Sequence, residues 1–421
     1  MQITIWGNEL LAWTSAAALA ESGNDVTIVA HTQQEETEAE FKVSNEPELE
    51  QLIQKELKSG RLTISTEQEG ISHAANHILA LNPDQYATAE ILVNRLKDKY
   101  ASNLLIINQS NFGVGSSDQL QNHLNLDDNQ VITYIPDMLS EGSALKDYKS
   151  PETIIAGCSS EWAMVNIRAL LRPFCQTLKQ WLTMTPTEAE FTKFANTGML
   201  ALRLGYINEL ANLADQLNVD IEVIRQGMIS DPRIGPHYLN PGCGFGGLHF
   251  QQYIEGLSAL MSEARNSKLL DTVLIENEKQ KEHPFRKLWR YYACDLQGKT
   301  ISLWGLSFKP GTASIDNAPS LKVISSLLAQ GCKVQVHDPE AMDNIKEHFR
   351  KEEGISFFNN RYDALQSSDA LLLLTEWPEY WSPEYKDMLK RMHHPLIIDG
   401  RNIFDKELLE SLGFTYYGVG R

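Results

Sequence analysis

The residues best placed for chemistry lie in one stretch, Gly244-Phe245-Gly246-Gly247-Leu248-His249-Phe250-Gln251-Gln252-Tyr253. Its glycines let backbone come close to a ligand, because no Cβ stands between them. His249 follows at once. An imidazole titrates near neutrality, so a histidine beside such a loop can act as a general base. A lone histidine can equally fill space, and both readings stay open. Cys243 offers a thiol just before the loop, although beside glycines a packed thiol is the plainer reading. His249, His237 and Cys243 show no recognisable ligand spacing, so no metal site is expected.

A second cluster is Gly7-Asn8-Glu9-Leu10-Leu11-Ala12, between the strand-like Ile3–Trp6 and a helical pattern over Leu10–Ser22. A dinucleotide such as NAD is held at a turn reading G-x-G-x-x-G/A. The first Gly makes the turn, the second lets backbone approach the pyrophosphate, and the third packs helix on strand. Gly7 and Ala12 fit. Glu9 replaces the second Gly and puts a carboxylate where a pyrophosphate meets the helix N-terminus. A carboxylate within ~4 Å of a phosphate costs ~1–4 kcal/mol, depending on solvation. The next strand-like run, Asp25–Val29, leads into Ala30 and His31, so no acid is offered to the adenosine ribose. Each lost hydrogen bond is worth roughly 0.5–1.5 kcal/mol. Three alternatives follow: a fold that has lost its cofactor, weak NAD binding, or another ligand. His31 without an Arg beside it does not argue for NADP.

These residues need a scaffold. Strand-like runs recur at Ile78–Leu81, Leu104–Ile107 and Ile154–Ala156, with helical patterns at Pro47–Lys58 and Ala87–Tyr100. Strands alternating with helices predict a parallel sheet covered on both faces. From Ser160 to about Gln280 the pattern is helical, over Trp162–Leu171, Glu188–Leu217 and Phe250–Lys268. A second α/β unit opens at Thr300–Gly305, with a helix over Ser320–Gln330 and strand-like runs at Lys333–His337, Ala370–Thr375 and Leu396–Asp399. Ile3-Thr4-Ile5-Trp6-Gly7 and Ile301-Ser302-Leu303-Trp304-Gly305 have the same shape. The expected fold class is α/β, with two Rossmann-like doubly wound domains joined by a central helical dimerisation region. The expected boundaries are 1–185, 186–285 and 286–421.

Bulk properties exclude several classes. The 421 residues suffice for two or three domains. A net charge of −18 and a pI near 5.1 argue against nucleic acid as a partner. No apolar run approaches the ~18 residues of a membrane span, and no signal peptide is visible. Five scattered cysteines with no C-x-x-C pair fit free thiols in a reducing compartment. A soluble cytoplasmic protein is expected.

Several segments together resemble the UDP-glucose/GDP-mannose dehydrogenase family along the whole chain. The glycine loop resembles its G-[FY]-G-G-S-C-F-P-K-D, with His249 at the nucleophilic Cys and Gln252 and Tyr253 at the Lys and Asp. Lys193-Phe194-Ala195-Asn196-Thr197 resembles K-[YF]-x-x-N, and Asp231-Pro232-Arg233-Ile234-Gly235 resembles D-x-R-I-G. Gly305-Leu306-Ser307-Phe308-Lys309-Pro310-Gly311-Thr312 resembles G-x-x-F-K-x-x-T. Thr375-Glu376-Trp377 and Asp399-Gly400-Arg401-Asn402 resemble T-E-W and D-G-R-N. Pro136-Asp137-Met138-Leu139-Ser140-Glu141-Gly142 resembles P-E-F-L-x-E-G, and Ser110-Asn111-Phe112-Gly113 stands at S-T-V-P.

The resemblance implies an enzyme that oxidises a nucleotide hexose twice at C6 with NAD, through a thioester on the Cys. That route needs sulfur, which attacks an aldehyde and later leaves. It implies catalytic positions at Lys193, Asp137, Glu141, His249, Thr197 and Tyr253, of which Lys193 and the two acids keep the expected chemistry. It implies substrate binding by Arg233, Phe245, Gly246, Phe308, Lys309 and Arg401, with Arg233 reaching a neighbouring subunit's substrate. It implies a cofactor turn over Gly7, Asn8, Glu9, Leu10, Leu11, Ala12 and Ala30. The losses fall on cofactor and nucleophile, whereas the retained residues fall on the nucleotide sugar. The expected function is a UDP-sugar-binding homodimer with impaired catalysis. The alternatives are an oxidoreductase using His249 as base and a structural subunit of an active paralogue.

Overall fold

The computed structural model describes residues 1–30, 46, 48–126, 129–137 and 139–421. His31, Pro47 and Met138, which figured in the motifs and helix bounds above, lie outside the described residues. The chain divides into two compact units, Met1–Ala195 and Asn196–Arg421. The division falls inside the helix Pro186–Leu217, which covers Glu188–Leu217 of the sequence pattern.

The first unit holds β1 Gln2–Trp6, β2 Asp25–Val29, β3 Leu62–Ile64, β4 Asn76–Leu79, β5 Leu104–Asn108, β6 Gln130–Tyr134, β7 Thr153–Gly157 and β8 Gln180–Met184. They form one sheet in the order β3-β2-β1-β4-β5-β6-β7-β8. Pairing is parallel except at β6–β7, where Tyr134 meets Gly157 antiparallel. Side chains alternate across a strand, and the two faces take different partners. Ile3 and Ile5 of β1 join a core with Ala12, Trp13 and Ala16 of the helix Leu10–Glu21. Trp6 points to the other face, with Leu92, Val93 and Leu96 of the helix Tyr86–Lys99.

The second unit repeats the plan. Its strands are β9 Thr300–Trp304, β10 Lys333–His337, β11 Ile355–Phe357, β12 Ala370–Leu373, β13 Leu396–Asp399 and β14 Thr415–Tyr417. Their order is β11-β10-β9-β12-β13-β14, all parallel. Both sheets therefore reverse direction beside their first strand, between β1 and β4 and between β9 and β12. A crevice at that reversal, at the carboxyl ends of the strands, is where open α/β sheets bind ligands. Ile301 and Leu303 of β9 enter one core, and Trp304 enters the other.

Three expectations are corrected. The stretch from Ser160 to Gln280 is not helical throughout, because β8 interrupts it. Its half-exposed residues at the sheet edge lack the apolar run of an interior strand. The helix expected over Phe250–Lys268 is Leu248–Arg265, starting after Gly247 and ending where Asn266 turns left-handed (φ 59°). His249 and Tyr253 thus sit on a helix, not in a loop. The helix expected over Pro47–Lys58 is described as Leu49–Ser59. Among the described residues, no helix is long and apolar enough to cross a membrane.

Candidate functional site

In the first unit, Gly7 ends β1 at the reversal of strand order. Its φ is 143°, its N–H donates to the Val29 carbonyl at 3.1 Å, and a Cβ there would run into the Ala80 carbonyl oxygen. Only glycine fits. The helix Leu10–Glu21 then starts from Glu9, whose side chain makes no capping bond, and no acid lies in its first turn. Asn8 accepts from Trp13 Nε1 at 3.2 Å. Asn8, Glu9, Leu10, Leu11 and Ala30 are partly exposed and Ala12 is buried. The backbone is therefore shaped for a dinucleotide, while Glu9 places a carboxylate on the residue that leads into the helix. At the carboxyl end of β5, buried Asn111 Oδ1 has no hydrogen-bond partner.

The same unit brings Lys193 and Asp137 together. Lys193 Nζ lies 3.3 Å from Asp137 Oδ1 and also donates to the Asp137 carbonyl. Asp137 follows β6, and Glu141 lies farther along the same loop, partly exposed. Thr197, one helical turn beyond Lys193, is buried and falls in the second unit. Glu190, unmarked by any motif, is buried and accepts from Gly115 N, Ser116 Oγ and Ser117 N at 2.5–2.9 Å. It caps the short helix Ser116–Gln121 and fixes the loop after Gly113.

In the second unit the glycine loop is packed on every side. A Cβ on Gly246 would meet the Asn317 carbonyl oxygen at 2.8 Å and Phe308 Cβ at 2.9 Å. One on Gly247 (φ 90°) would touch the Phe308 ring at 3.0 Å. Gly247 N–H donates to the Asp316 carbonyl at 2.8 Å. Phe245 meets Phe250 edge-on at 5.2 Å. Lys309 Nζ lies 5.6 Å from the centre of the Phe308 ring. The loop thus rests on the segment after β9 that carries Phe308 and Lys309. His249 is exposed at the start of the helix Leu248–Arg265, whereas Tyr253 is buried. Gln252 Oε1 is buried without a hydrogen-bond partner.

Arg401 sits beneath this loop. Its Nε donates to the Leu374 carbonyl at 2.8 Å and lies 3.1 Å from Glu376 Oε2, while Nη1 reaches the Gly244 carbonyl at 3.4 Å. Within this chain its guanidinium therefore braces loop backbone. Cys243 is buried, its N–H donates to the Gly400 carbonyl at 2.9 Å, and burial pushes its thiol pKa up. A thiol so held stays protonated and is a poor nucleophile. Arg233 is not drawn in. Its side chain is 87% exposed and pairs with Asp231 at 2.6 Å.

The residues that fix the loop carried no motif. Asn277 accepts from Phe245 N at 2.9 Å and donates to the Phe245 carbonyl at 3.0 Å. Gln280 donates to the Gly242 carbonyl at 2.8 Å, and Asn208 accepts from Gly242 N at 2.9 Å. Lys281, 1% exposed, bonds Asn317 Oδ1 at 2.8 Å and Glu278 at 2.5 Å. Asp338, at the end of β10, is buried. Its carboxylate accepts from Leu306 N at 2.6 Å, Ser307 N at 3.0 Å and Trp377 Nε1 at 3.0 Å, immediately before Phe308. An acid at this strand end holds a ribose in a dinucleotide fold; here it holds the chain's own loop.

Three stretches match models of one family, UDP-glucose/GDP-mannose dehydrogenase: its NAD binding domain over residues 1–175, its central domain over 187–279 and its UDP binding domain over 302–406. The UDP-glucose 6-dehydrogenase of Pseudomonas aeruginosa is 31% identical over all of this chain and 98% of its own length. UDP-glucose 6-dehydrogenase YwqF of Bacillus subtilis is 29% identical over 100% of this chain and 98% of its own. Among solved structures, a UDP-glucose dehydrogenase from Pyrobaculum islandicum superposes with a TM-score of 0.84 at 24% identity, covering 99% of this chain and 97% of that one. UDP-D-ManNAc dehydrogenase from Pyrococcus horikoshii gives 0.81 at 21%, covering 100% and 99%. At those identities the structures speak for the fold alone.

Proposed function

The chain belongs to the UDP-glucose/GDP-mannose dehydrogenase family, and within it we propose a protein that binds a UDP-hexose but does not carry out the two-step oxidation. The observation that carries this reading is the loop Gly244–Gly247. It is packed against Phe308 and braced by Arg401, while the residue at the nucleophile position is His249. Backbone order of this kind serves binding, and an imidazole cannot form and release a thioester. Cys243 offers no substitute, because burial raises its pKa.

The same reading weakens NAD. Gly7 keeps the turn, but Glu9 sets a negative charge against the pyrophosphate and Ala30 offers no acceptor to the ribose. The role that fits is a nucleotide-sugar sensor, a pseudoenzyme of its family. Calorimetric titration should show UDP-glucose binding in the micromolar range and NAD at least about a hundredfold weaker. Comparable NAD affinity, or NADH formed with both ligands present, would overturn it.

A second reading keeps some chemistry. Lys193 and Asp137 are held together, and exposed His249 can take a proton from a hydroxyl. It requires NADH production that His249→Ala abolishes. A structural subunit paired with an active paralogue requires instead that neither ligand bind the chain alone. We further propose a homodimer. Met199, Tyr206 and Leu213 recur every seven residues on the helix Pro186–Leu217 and are exposed, a stripe suited to a second copy. Light scattering on the titrated sample should give twice the chain mass, and Tyr206→Glu should halve it.

A further inference from the structure

A cavity of 610 Å³ opens in the second unit, lined by Asn212, Gln280, His283, Lys287, Arg290 and Tyr417, among others. None of the residues assigned to cofactor, nucleophile or nucleotide sugar lines it. Lys279, Arg286, Lys287 and Arg290 line it against the carboxylates Glu209, Asp215 and Glu276, so cations are in slight excess in a chain of net charge −18. Lys287 Nζ pairs with Asp215 at 2.8 Å, and that carboxylate is shared with His283 at 3.5 Å. Arg290, exposed, has no carboxylate within ion-pair distance among the described residues. Burial lowers the Lys287 pKa, countered by Asp215, with Lys406 and Arg290 pushing it down further. An anion would relieve this crowding.

Two neutral features narrow the ligand. Buried Asn212 Oδ1 lacks a hydrogen-bond partner, and an orphaned amide oxygen calls for a donor such as a hydroxyl. Tyr291 and Tyr417, 6.0 Å apart edge-on, line the same cavity and offer faces to the C–H surface of a ring. The volume falls in the usual range for small-molecule sites, about 300–1,000 Å³.

We propose that this cavity binds a sugar phosphate, its phosphate on Arg290 and Lys287 and a hydroxyl on Asn212, and that occupancy is transmitted to the glycine loop. The connection is a hydrogen-bonded chain. Asn212 Nδ2 donates to Gln280 Oε1 at 3.0 Å, and Gln280 Nε2 donates to the Gly242 carbonyl at 2.8 Å. Gly242 leads directly into the loop. A ligand that orders Asn212 therefore orders Gln280 and the Gly242 peptide with it.

The test is hydrogen–deuterium exchange on the full chain with glucose 6-phosphate, with glucose plus chloride at equal ionic strength, and with inorganic phosphate. Glucose 6-phosphate should slow exchange over residues 283–291 and over 242–247, glucose alone should not, and inorganic phosphate should act only at higher concentration. Arg290→Glu should weaken both effects about tenfold, and Arg290→Gln should do so less. No slowing at 283–291, or equal slowing in Arg290→Glu, overturns the site. Slowing at 242–247 that survives in Arg290→Glu means that the probe binds the loop directly, and overturns the transmission.

Discussion

Asn277 bonds both the N–H and the carbonyl of Phe245, so one side chain holds the middle of the loop. Asn277→Ala strands a partly buried N–H and C=O, at about 1–3 kcal/mol for each. The urea midpoint should fall accordingly, and UDP-glucose affinity should drop with it. An unchanged affinity would mean that the loop does not contact the sugar nucleotide. The glycines and His249 were legible in the sequence because their types are unusual together. Asn277, Gln280 and Lys281 were not. On a helix they read as a solvated polar face, and only the structure shows all three buried. The same holds for Asp338 and Glu190, acids whose partners are backbone N–H groups far away in sequence. Lys193 and Asp137 were placed by motif alone, and their ion pair depends on where β6 meets the long helix.

Glycines in the elements separate two costs that a sequence cannot. Gly7 combines positive φ with no room for a Cβ, whereas Gly60 (φ 75°) has nothing within 4 Å of one. Gly60→Ala should cost only the left-handed penalty, about 1–2 kcal/mol. Gly7→Ala should exceed about 4 kcal/mol or abolish soluble expression. Equal midpoints in chemical denaturation would show that the Gly7 turn can move aside. Although interior β6 was missed, most interior strands were legible: β2, β10 and β13 match their expected bounds, β13 through its apolar run and β10 through alternation. Edge strands were not. β3, β11 and β14 are three residues each, too short to show a period. β8 is half exposed and sits amid helices. The start of the helix at Leu248 escaped because Gly247 gives no side-chain cap.

At the scale of the molecule, acid should act through buried histidines in both units. Burial drives His77 down to about 3, and Trp6 Nε1 donates to its Nδ1 at 3.1 Å, which holds the ring neutral. Burial also lowers His283 and His337. His77 stays neutral when folded and burial disfavours the proton on His283 and His337, whereas unfolded histidines take one below about pH 6.5. The unfolded chain then binds more protons, so stability is full above that pH and declines as pH falls toward the folded pKa values. His77 alone contributes a slope of up to about 1.4 kcal/mol per pH unit. Urea midpoints measured from pH 7.5 to 5 should therefore fall, and less steeply in His77→Gln if that variant folds.

Both central strands end alike. Trp6 and Trp304 are followed by Gly7 and Gly305, whose N–H groups donate to the Val29 and His337 carbonyls at 3.1 and 3.0 Å. The atoms that build this corner are backbone and buried rings. The atoms that would greet a ligand, on Glu9, Ala30 and His249, lie elsewhere. Architecture and ligand chemistry thus rest on separate residues, so a substitution at Glu9, Ala30 or His249 can change what is bound and leave the corner intact.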